Sequence, residues 1–309
     1  MSLEHGREGF TLIELSVVLV IIGLVVGGIL VGRDLVNAAA VRAQISQIEK
    51  YNSAVNTFYA KYGALPGDMP AAAASQFGFV ARGTNTGQGD GNGVLEGYYS
   101  GTVGDQLQTG EPLLLWQDLG AANLIEGRYS VPGTMNVGAY GALSGSVTAS
   151  TNPAYNAFIP PAKIAANDYV FAFSNAGINY WGLSSYNGPG PNGITPALCA
   201  CGQNSSTTYA MTVRQAYDLD KKMDDGLPQS GVVEAVNGGY LLWAGDFYLA
   251  NAGTNFPNAN TAREASSATS CFDNGGQSGA TQQYSLGSLA DYGSHVNCAL
   301  VFRMQGAGR

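Results

Sequence analysis

The sequence predicts an α+β fold, in which a long N-terminal helix packs on a C-terminal globular head with an antiparallel sheet and long loops. An apolar run near the N-terminus passes directly into a stripe of apolar side chains at helical spacing. Short strand-like runs follow, without the regular strand–helix alternation of a parallel sheet. We therefore expect a short polar segment at residues 1–9, a helix at 10–62 whose first half spans a membrane, and a head at 63–309.

The membrane assignment rests on the segment from Phe10 to Gly32, which has 23 residues and one charge, Glu14. At about 1.5 Å per residue, a helix of this length crosses the roughly 30 Å apolar core of a bilayer. A secretory signal peptide is the alternative, but a signal peptide has a shorter apolar region and a basic N-terminal region. Here residues 1–9 carry one Arg against two Glu, and the apolar segment continues into a helix. The pattern favours an anchor.

Glu14 needs a physical explanation, because a carboxylate in an apolar helix costs on the order of 3 kcal/mol. One interpretation is that its side chain simply reaches the headgroups. The other begins with cleavage after Gly9, which would make the α-amine of Phe10 a cation. Glu14 of an adjacent subunit would neutralise that amine and recover much of the cost of burying each charge. Such a pair would also set the axial register between neighbouring helices.

The segment GFTLIELSVVLVIIG resembles the class III prepilin signal of type IV pilins and type II secretion pseudopilins. The resemblance implies that a prepilin peptidase cuts between Gly9 and Phe10 and methylates the new amine of Phe10, and that Glu14 acts in assembly. The leader at residues 1–9 is less basic than is usual for this family. The helix also lacks the proline that many pilins have and contains small residues instead, namely Gly23, Gly27, Gly28 and Gly32.

By this resemblance, the chain is a structural subunit of a type IV pilus-like filament and not an enzyme. The alternatives are a minor pilin or pseudopilin of a type II secretion or DNA-uptake machine, or a filament-borne adhesin. The implied partners are sister subunits, prepilin peptidase, the inner membrane and the pilus or secretion assembly machinery. The implied location is a single-pass inner-membrane protein with its head in the periplasm, followed by a pilus or pseudopilus that can reach the cell surface.

The second half of the helix is predicted to pack one side on the head. The stripe consists of Val41, Ile45, Ile48, Val55, Tyr59 and Tyr62, with Asn52 as its polar member. Gly63 supplies the expected stop, and Pro66 follows it within the turn LPGDMP at 65–70.

Within the head, turn residues separate several predicted elements. A helix is expected from Pro112 to Gly127, with Leu115, Trp116, Leu119 and Leu124 on its buried side and Gly127 as its stop. A shorter helix is expected at Val213–Met223, ending at Asp224-Asp225-Gly226. Strands are predicted at Tyr169–Phe173, Ile178–Leu183, Tyr209–Val213, Tyr240–Trp243 and Ala299–Phe302. Strings such as KYGALPGDMP and LDKKMDDGLPQSG resemble segments in the heads of large pilin-like proteins.

Composition excludes several functions. Charged residues make up 12% of the chain, it contains 43 Gly, and its net charge is −8. No basic cluster could neutralise a phosphate backbone, so nucleic-acid binding is not expected. The two histidines, His5 and His295, and the absence of familiar catalytic motifs give no support to an enzyme. The three tryptophans, Trp116, Trp181 and Trp243, could stack on sugars, but the expectation for most of them is a core position.

One loop is a candidate site for calcium. Asp90, Asn92, Val94 and Glu96 offer oxygen ligands at alternate positions, with glycines between them. From Gly63 to Glu126 there are seven acids and one base, which favours a cation. The alternative is a solvated turn stabilised by its own Asp and Asn side chains. A second acidic pair, Asp224 and Asp225, is interpreted as a helix end.

Four cysteines in an exported chain suggest two disulfides: Cys199, Cys201, Cys271 and Cys298. Cys199 and Cys201 are separated by one residue, which disfavours a bond between them. We therefore expect each to pair with Cys271 or Cys298. A zinc site built from these cysteines and His295 is the alternative, which the oxidising surroundings and the lack of a C-x₂-C pair disfavour.

Overall fold

The α+β class is confirmed by a computed structural model of the chain, with a long N-terminal helix and an antiparallel sheet in the C-terminal part. The structure describes residues 12–79, 88–95, 97–99, 102–104, 111–129, 157, 159–166, 168–175, 177–185, 211–237, 271–274 and 280–306. The chain forms two compact units, Met1–Ala40 and Val41–Arg309.

The described helices are α1 (Leu12–Tyr62), α2 (Ala71–Phe77), α3 (Glu111–Ala121) and α4 (Val213–Met223), with a 3₁₀ helix at Ser288–Gly293. The described strands are β1 (Gly97–Tyr99), β2 (Thr102–Gly104), β3 (Asp168–Asn175), β4 (Ile178–Ser185), β5 (Met211–Thr212), β6 (Val233–Asn237), β7 (Phe272–Asp273), β8 (Gln283–Tyr284) and β9 (Val296–Arg303).

The main sheet is antiparallel and is organised around β9, which pairs with β4, β5 and β6. The hairpin β3–β4 extends it, with Asp168 opposite Ser185 and Asn175 opposite Ile178. Gly182 faces Phe171 across this hairpin, and a Cβ at Gly182 would clash with the Phe171 ring. A larger residue at this position would therefore displace a buried aromatic side chain.

Within the second unit, α1 buries one face, but not quite the predicted one. The buried residues are Val41, Gln44, Gln47, Ile48, Tyr51, Ala54, Val55 and Phe58. Ile45, Asn52 and Tyr62 are half-buried, and Tyr59 is 44% exposed. The prediction therefore had the right period but a stripe rotated to one side. The stripe is rotated because Gln44 and Gln47 occupy buried positions, and a pattern of apolar residues does not predict the burial of glutamine.

Tyr51 joins α1 to α3 and to the sheet. Its ring centroid lies 4.9 Å from that of Trp116 on α3 and 5.7 Å from that of Trp181 on β4. The two tryptophans are fully buried, and Trp181 Nε1 donates to Asn52 Oδ1 at 2.9 Å. Aromatic pairs of this kind contribute about 0.5–1.5 kcal/mol beyond their buried area. The half-buried Asn52 is thus a hydrogen-bond partner and not a break in the stripe.

The two buried glutamines attach the segment 159–166 to α1. Gln44 Oε1 accepts from the backbone N–H groups of Lys163 and Ile164, at 2.7 and 3.2 Å. Gln47 Nε2 donates to Pro161 O at 2.8 Å and to the Tyr51 hydroxyl at 2.9 Å. These bonds satisfy polar groups that would otherwise be buried without partners.

Helix α3 begins at the predicted place and buries Leu115, Trp116 and Leu119, but it ends at Ala121 and not near Gly127. The stop is Asn123, whose φ is 57°. Leu124 N donates to Leu119 O and Asn123 N to Gly120 O, which is the Schellman arrangement of a helix end. Asn tolerates the left-handed conformation, so it closes the helix earlier than the glycine would. Leu124 is consequently half-buried and not part of the core.

Four of the other predicted elements are confirmed by the structure. The strands β3, β4 and β9 cover their predicted ranges, and α4 has the predicted bounds. The run Tyr209–Val213 was too long as a strand, because Thr212 caps α4 through a bond from Gln215 N and Val213 is already helical. The strand β6 was not predicted, and the predicted strand Tyr240–Trp243 lies outside the described residues.

Several carboxyl groups in the second unit are buried. Burial raises the pKa of Asp168 to about 8, and it raises the pKa of Asp118, Asp220 and Glu234 to about 7. Asp168 is 2% exposed, and its Oδ2 accepts no hydrogen bond from the described residues. These groups are protonated in the folded chain at pH values where the unfolded chain has released its protons.

We predict that thermal stability falls as the pH rises from about 4 to about 8, because the raised pKa values favour the folded state only while its carboxyls hold protons. Asp168→Asn removes one of these groups, so its Tm at pH 8.5 should exceed that of the wild type by about 2–4 °C, and the difference should vanish below about pH 4, where Asp168 becomes largely protonated in both states. Thermal denaturation of the detergent-solubilised chain, followed by circular dichroism, measures this. Glu49→Gln, at an exposed position, is the control. A pH profile of Asp168→Asn parallel to that of the wild type would contradict the prediction.

Candidate functional site: an exposed apolar helix

The first unit contains the first part of α1, which over Leu12–Val31 has apolar side chains all around its axis apart from Glu14 and Ser16. Every residue from Leu12 to Val31 is exposed, including the long Leu, Ile and Val side chains. By length and composition, α1 is the one helix among the described residues that could cross a membrane. Ser16, a polar residue in the run, satisfies its hydroxyl by donating to Ile13 O at 2.9 Å. An apolar surface of this kind requires lipid or protein around it.

Glu14 lies in the first turn of α1 and is exposed. A carboxylate at this place is favoured by the positive end of the helix dipole. Gly9 and Phe10, the predicted cleavage and methylation residues, lie outside the described part of the chain. The roles of these three residues therefore stay predictions.

Comparison with known families supplies the decisive observation on this segment. Residues 5–30 match the family model for the prokaryotic N-terminal methylation motif. The chain carries the prepilin-type signal of type IV pilins and pseudopilins. Comparison with curated proteins and with solved structures gave no match. The match covers the N-terminal segment and does not extend into the head.

The four glycines of the prepilin-type helix have no packing role inside the described chain. A Cβ added at Gly23, Gly27, Gly28 or Gly32 would meet none of its atoms within 4 Å. Glycine in a helix interior costs roughly 1 kcal/mol relative to alanine. In membrane helices, small residues at this spacing allow close approach of a second helix. Any benefit that offsets their cost therefore lies in contacts with other molecules.

The predicted calcium loop is held by internal hydrogen bonds. Asp90 Oδ1 accepts from Asn92 N at 2.9 Å, and Asn92 Oδ1 accepts from Val94 N at 2.7 Å. Asp90 and Asn92 are exposed, and Glu96 lies outside the described residues. These bonds are the ones expected of an Asp- and Asn-stabilised turn. Calcium binding by these four residues stays a prediction.

Asp68 was missed at the sequence level because LPGDMP was interpreted only as a turn. Its carboxylate is fully buried and accepts from Gly91 N at 2.7 Å and from Gly93 N at 2.8 Å. The Asp118 side chain holds the turn at 65–70 in the same way, because its Oδ2 accepts a hydrogen bond from Gly67 N at 2.8 Å. Two buried acids therefore organise this end of the head, and a Pro-Gly-Asp-Met-Pro string gives no signal of their burial.

The cysteine pairing corrects an expectation. Cys271 and Cys298 form a disulfide with each other, with their Cα atoms 5.1 Å apart. The expected bonds from these two residues to Cys199 and Cys201 are therefore wrong, and Cys199 and Cys201 lie outside the described residues. The physical reason is the pair β7–β8, which packs beside α4 through the Tyr284–Asp220 hydrogen bond and places Cys271 next to β9. Disulfide sulfurs are not thiolates, so zinc binding by this pair is also excluded.

The remaining candidates are structural in the described chain. Asp220, Asp224 and Asp225 lie within reach of one another, but their oxygens accept hydrogen bonds that close the end of α4 and the turn after it. The interpretation as a helix end therefore fits the geometry. Trp116 and Trp181 are buried in the core, and Trp243 lies outside the described residues.

We predict that Cys271→Ser with Cys298→Ser lowers the free energy of unfolding by about 3–4 kcal/mol, because the 27-residue separation makes the crosslink restrict the unfolded chain substantially. Denaturant titration of both proteins under oxidising conditions measures the difference. Peptide mapping of the wild type without reductant should recover Cys271 and Cys298 in one linked pair. Recovery of either residue linked to Cys199 or Cys201 would show that the described pairing is not the native one.

Proposed function

We propose that this chain is a structural subunit of a type IV pilus-like filament, processed by prepilin peptidase and assembled through its N-terminal helix. The observation that carries the proposal is the prepilin-type signal at residues 5–30, which continues into a helix that is exposed and apolar over Leu12–Val31. Before assembly this helix anchors the chain in the inner membrane, with the head in the periplasm. After extraction, sister helices replace the lipid around it.

The proposed assembly step is non-covalent. The apolar surface is transferred from lipid to other apolar helices, so the transfer itself provides little specificity. Specificity comes from the one charge in the run, Glu14, which meets the methylated amine of Phe10 on a neighbouring subunit. Pairing the two charges makes their burial less costly than burying either alone, and only one axial offset between helices allows it.

The second candidate is a minor pilin or pseudopilin of a secretion or DNA-uptake machine. The same signal serves these proteins, and a filament-borne adhesin would also carry it. The composition of the filaments separates the possibilities. This chain is the main component of a sheared surface filament fraction if it is a major pilin, and a trace component if it is a minor one.

We predict that Glu14→Ala lowers incorporation into filaments at least about tenfold, because the amine of Phe10 loses its partner in an apolar setting. Prepilin peptidase should still remove residues 1–9 from this variant. Immunoblots of the sheared and membrane fractions measure both. Glu49→Ala, on the exposed side of the same helix, is the matched control and should assemble normally. Normal filament yield from Glu14→Ala would refute the assembly role of this residue.

A further prediction concerns processing. Intact-mass and N-terminal peptide analysis of the mature chain should find N-methylated Phe10 as the first residue. In a strain that lacks prepilin peptidase, residues 1–9 should remain attached. A mature protein that begins elsewhere, or that carries an unmodified amine, would contradict the proposed processing.

A further inference from the structure

A groove of about 810 Å³ lies within the second unit, along the C-terminal half of α1. One wall is α1 between Ala43 and Thr57, a length of about 21 Å at 1.5 Å per residue. The other walls are the loop after α3, at residues 123–129, and the segment at residues 160–163. We call this feature the α1 groove. The proposed assembly through Leu12–Val31 gives it no role.

Tyr51 lies at the floor of the α1 groove and offers it an unused donor. The residue is 7% exposed, and its hydroxyl accepts a hydrogen bond from Gln47 Nε2 at 2.9 Å. Within the described part of the chain, the hydroxyl donates to no acceptor. Burial raises the pKa of Tyr51, so the hydroxyl keeps its proton. Because buried donors require acceptors, an acceptor that enters the groove would complete the hydrogen bonding of this side chain.

Two lysines give the α1 groove a positive charge, although the chain as a whole carries −8. Lys163 has no carboxylate partner among the described residues. Lys50 Nζ lies 3.8 Å from Glu126 Oε1, but the two side chains are 70% and 98% exposed. An ion pair with such exposure contributes little to stability. A carboxylate on a ligand can therefore compete for Lys50 and can bind Lys163 directly.

The two lysines are spaced along the groove. Lys163 N donates to Gln44 Oε1 at 2.7 Å, which fixes this residue near the start of the groove. Lys50 lies six residues further along α1 than Gln44, which is about 9 Å along the helix axis. Ammonium groups at this spacing suit a ligand with oxygen acceptors along its length better than a single small anion.

The rest of the described lining combines small polar groups with flat apolar ones. Ser46, Ser53 and Asn123 are exposed and offer hydroxyl and amide groups. Tyr129 and Pro161 contribute rings to the opposite walls. Hydroxyl and amide groups form hydrogen bonds with sugar hydroxyls, and rings pack against the apolar C–H faces of sugars. This lining therefore favours a saccharide.

Other elongated ligands fit the α1 groove less well. An extended peptide is usually held by the free backbone groups of a strand edge, but the long wall here is a helix whose backbone groups bond to one another. An amphipathic helix requires an apolar groove, whereas the α1 wall presents Ser46, Lys50, Ser53 and Thr57. The net charge of −8 disfavours a nucleic acid.

We propose that the α1 groove binds an elongated acidic saccharide, with Lys163 and Lys50 on its carboxylates and the Tyr51 hydroxyl on one of its oxygens. Carboxylated sugars of this class include both the uronic acids of polysaccharides and the sialic acids, so the test uses one probe of each kind. The site lies in the head and does not depend on the assembly role of Glu14.

Isothermal titration calorimetry of the full chain tests the proposal, in a detergent without a sugar headgroup. The acidic probes are trigalacturonate and sialyllactose, and the controls are maltotriose, which is neutral, and hexaglutamate, which is an acidic peptide. One acidic saccharide at least should bind with a Kd no weaker than about 1 mM, and both controls should bind more than about tenfold more weakly. No binding of either acidic saccharide, or binding of a control within that tenfold range, would overturn the proposal.

Variants of the chain locate the binding site. Lys163→Gln should weaken saccharide binding at least about tenfold, because it removes a charge-assisted hydrogen bond. Tyr51→Phe keeps the ring that contacts Trp116 and Trp181 and should weaken binding about threefold or more. Lys222→Gln makes the same charge change at an exposed residue outside the described lining, so its Kd should stay within about twofold of the wild type.

Two outcomes with these variants would overturn the site. One is unchanged binding by Lys163→Gln, and the other is an equal loss in Lys163→Gln and Lys222→Gln, which would indicate general charge attraction. Lys163 is exposed, so its variant should fold and decides the matter even if Tyr51→Phe does not fold. Filament yield is not measured, so the outcome is independent of the assembly proposal.

Discussion

The contact between the second half of α1 and the sheet is the interaction on which the head depends. Tyr51 touches both Trp116 and Trp181, and Asn52 accepts the indole N–H of Trp181. Large-to-small substitutions at such fully buried aromatic positions cost about 3–5 kcal/mol, a large share of the stability of a typical domain. The helix is therefore part of the core of the head, and the head would not keep its sheet covered without it.

The same helix has a different surface over Leu12–Val31, where every residue is exposed and Glu14 is the only charge. In a helix of a soluble protein such residues would lie on one buried face, but here they surround the helix axis. A Cβ added at any glycine in this part would meet no atom of the described chain, so packing within that chain does not require these glycines. The prepilin-type signal and the proposed function give these observations a common explanation, in which lipid surrounds the helix first and sister helices then replace the lipid.

Periodicity and turn chemistry predicted much of the fold, and the failures have physical causes. The end of α1 at Tyr62, the whole of α4 and the strands β3, β4 and β9 follow local rules of spacing and punctuation. The stripe on α1 was displaced because Gln44 and Gln47 are buried through hydrogen bonds to a distant segment. Helix α3 stops at an asparagine in the left-handed conformation, where sequence reasoning chose the glycine. The buried carboxylate of Asp68 and the Cys271–Cys298 bond depend on tertiary contacts, which no local pattern encodes.

Under the proposed function, the apolar helix assembles subunits and Glu14 fixes their register. A cryo-EM reconstruction of filaments purified from cells that produce this chain tests it most directly. The expected filament has a core of packed N-terminal helices in which the Glu14 carboxylate lies within about 4 Å of the Phe10 amine of a neighbouring subunit, as in an ion pair. Filaments in which these two groups face different surroundings, or a core built from the heads instead of the helices, would contradict it.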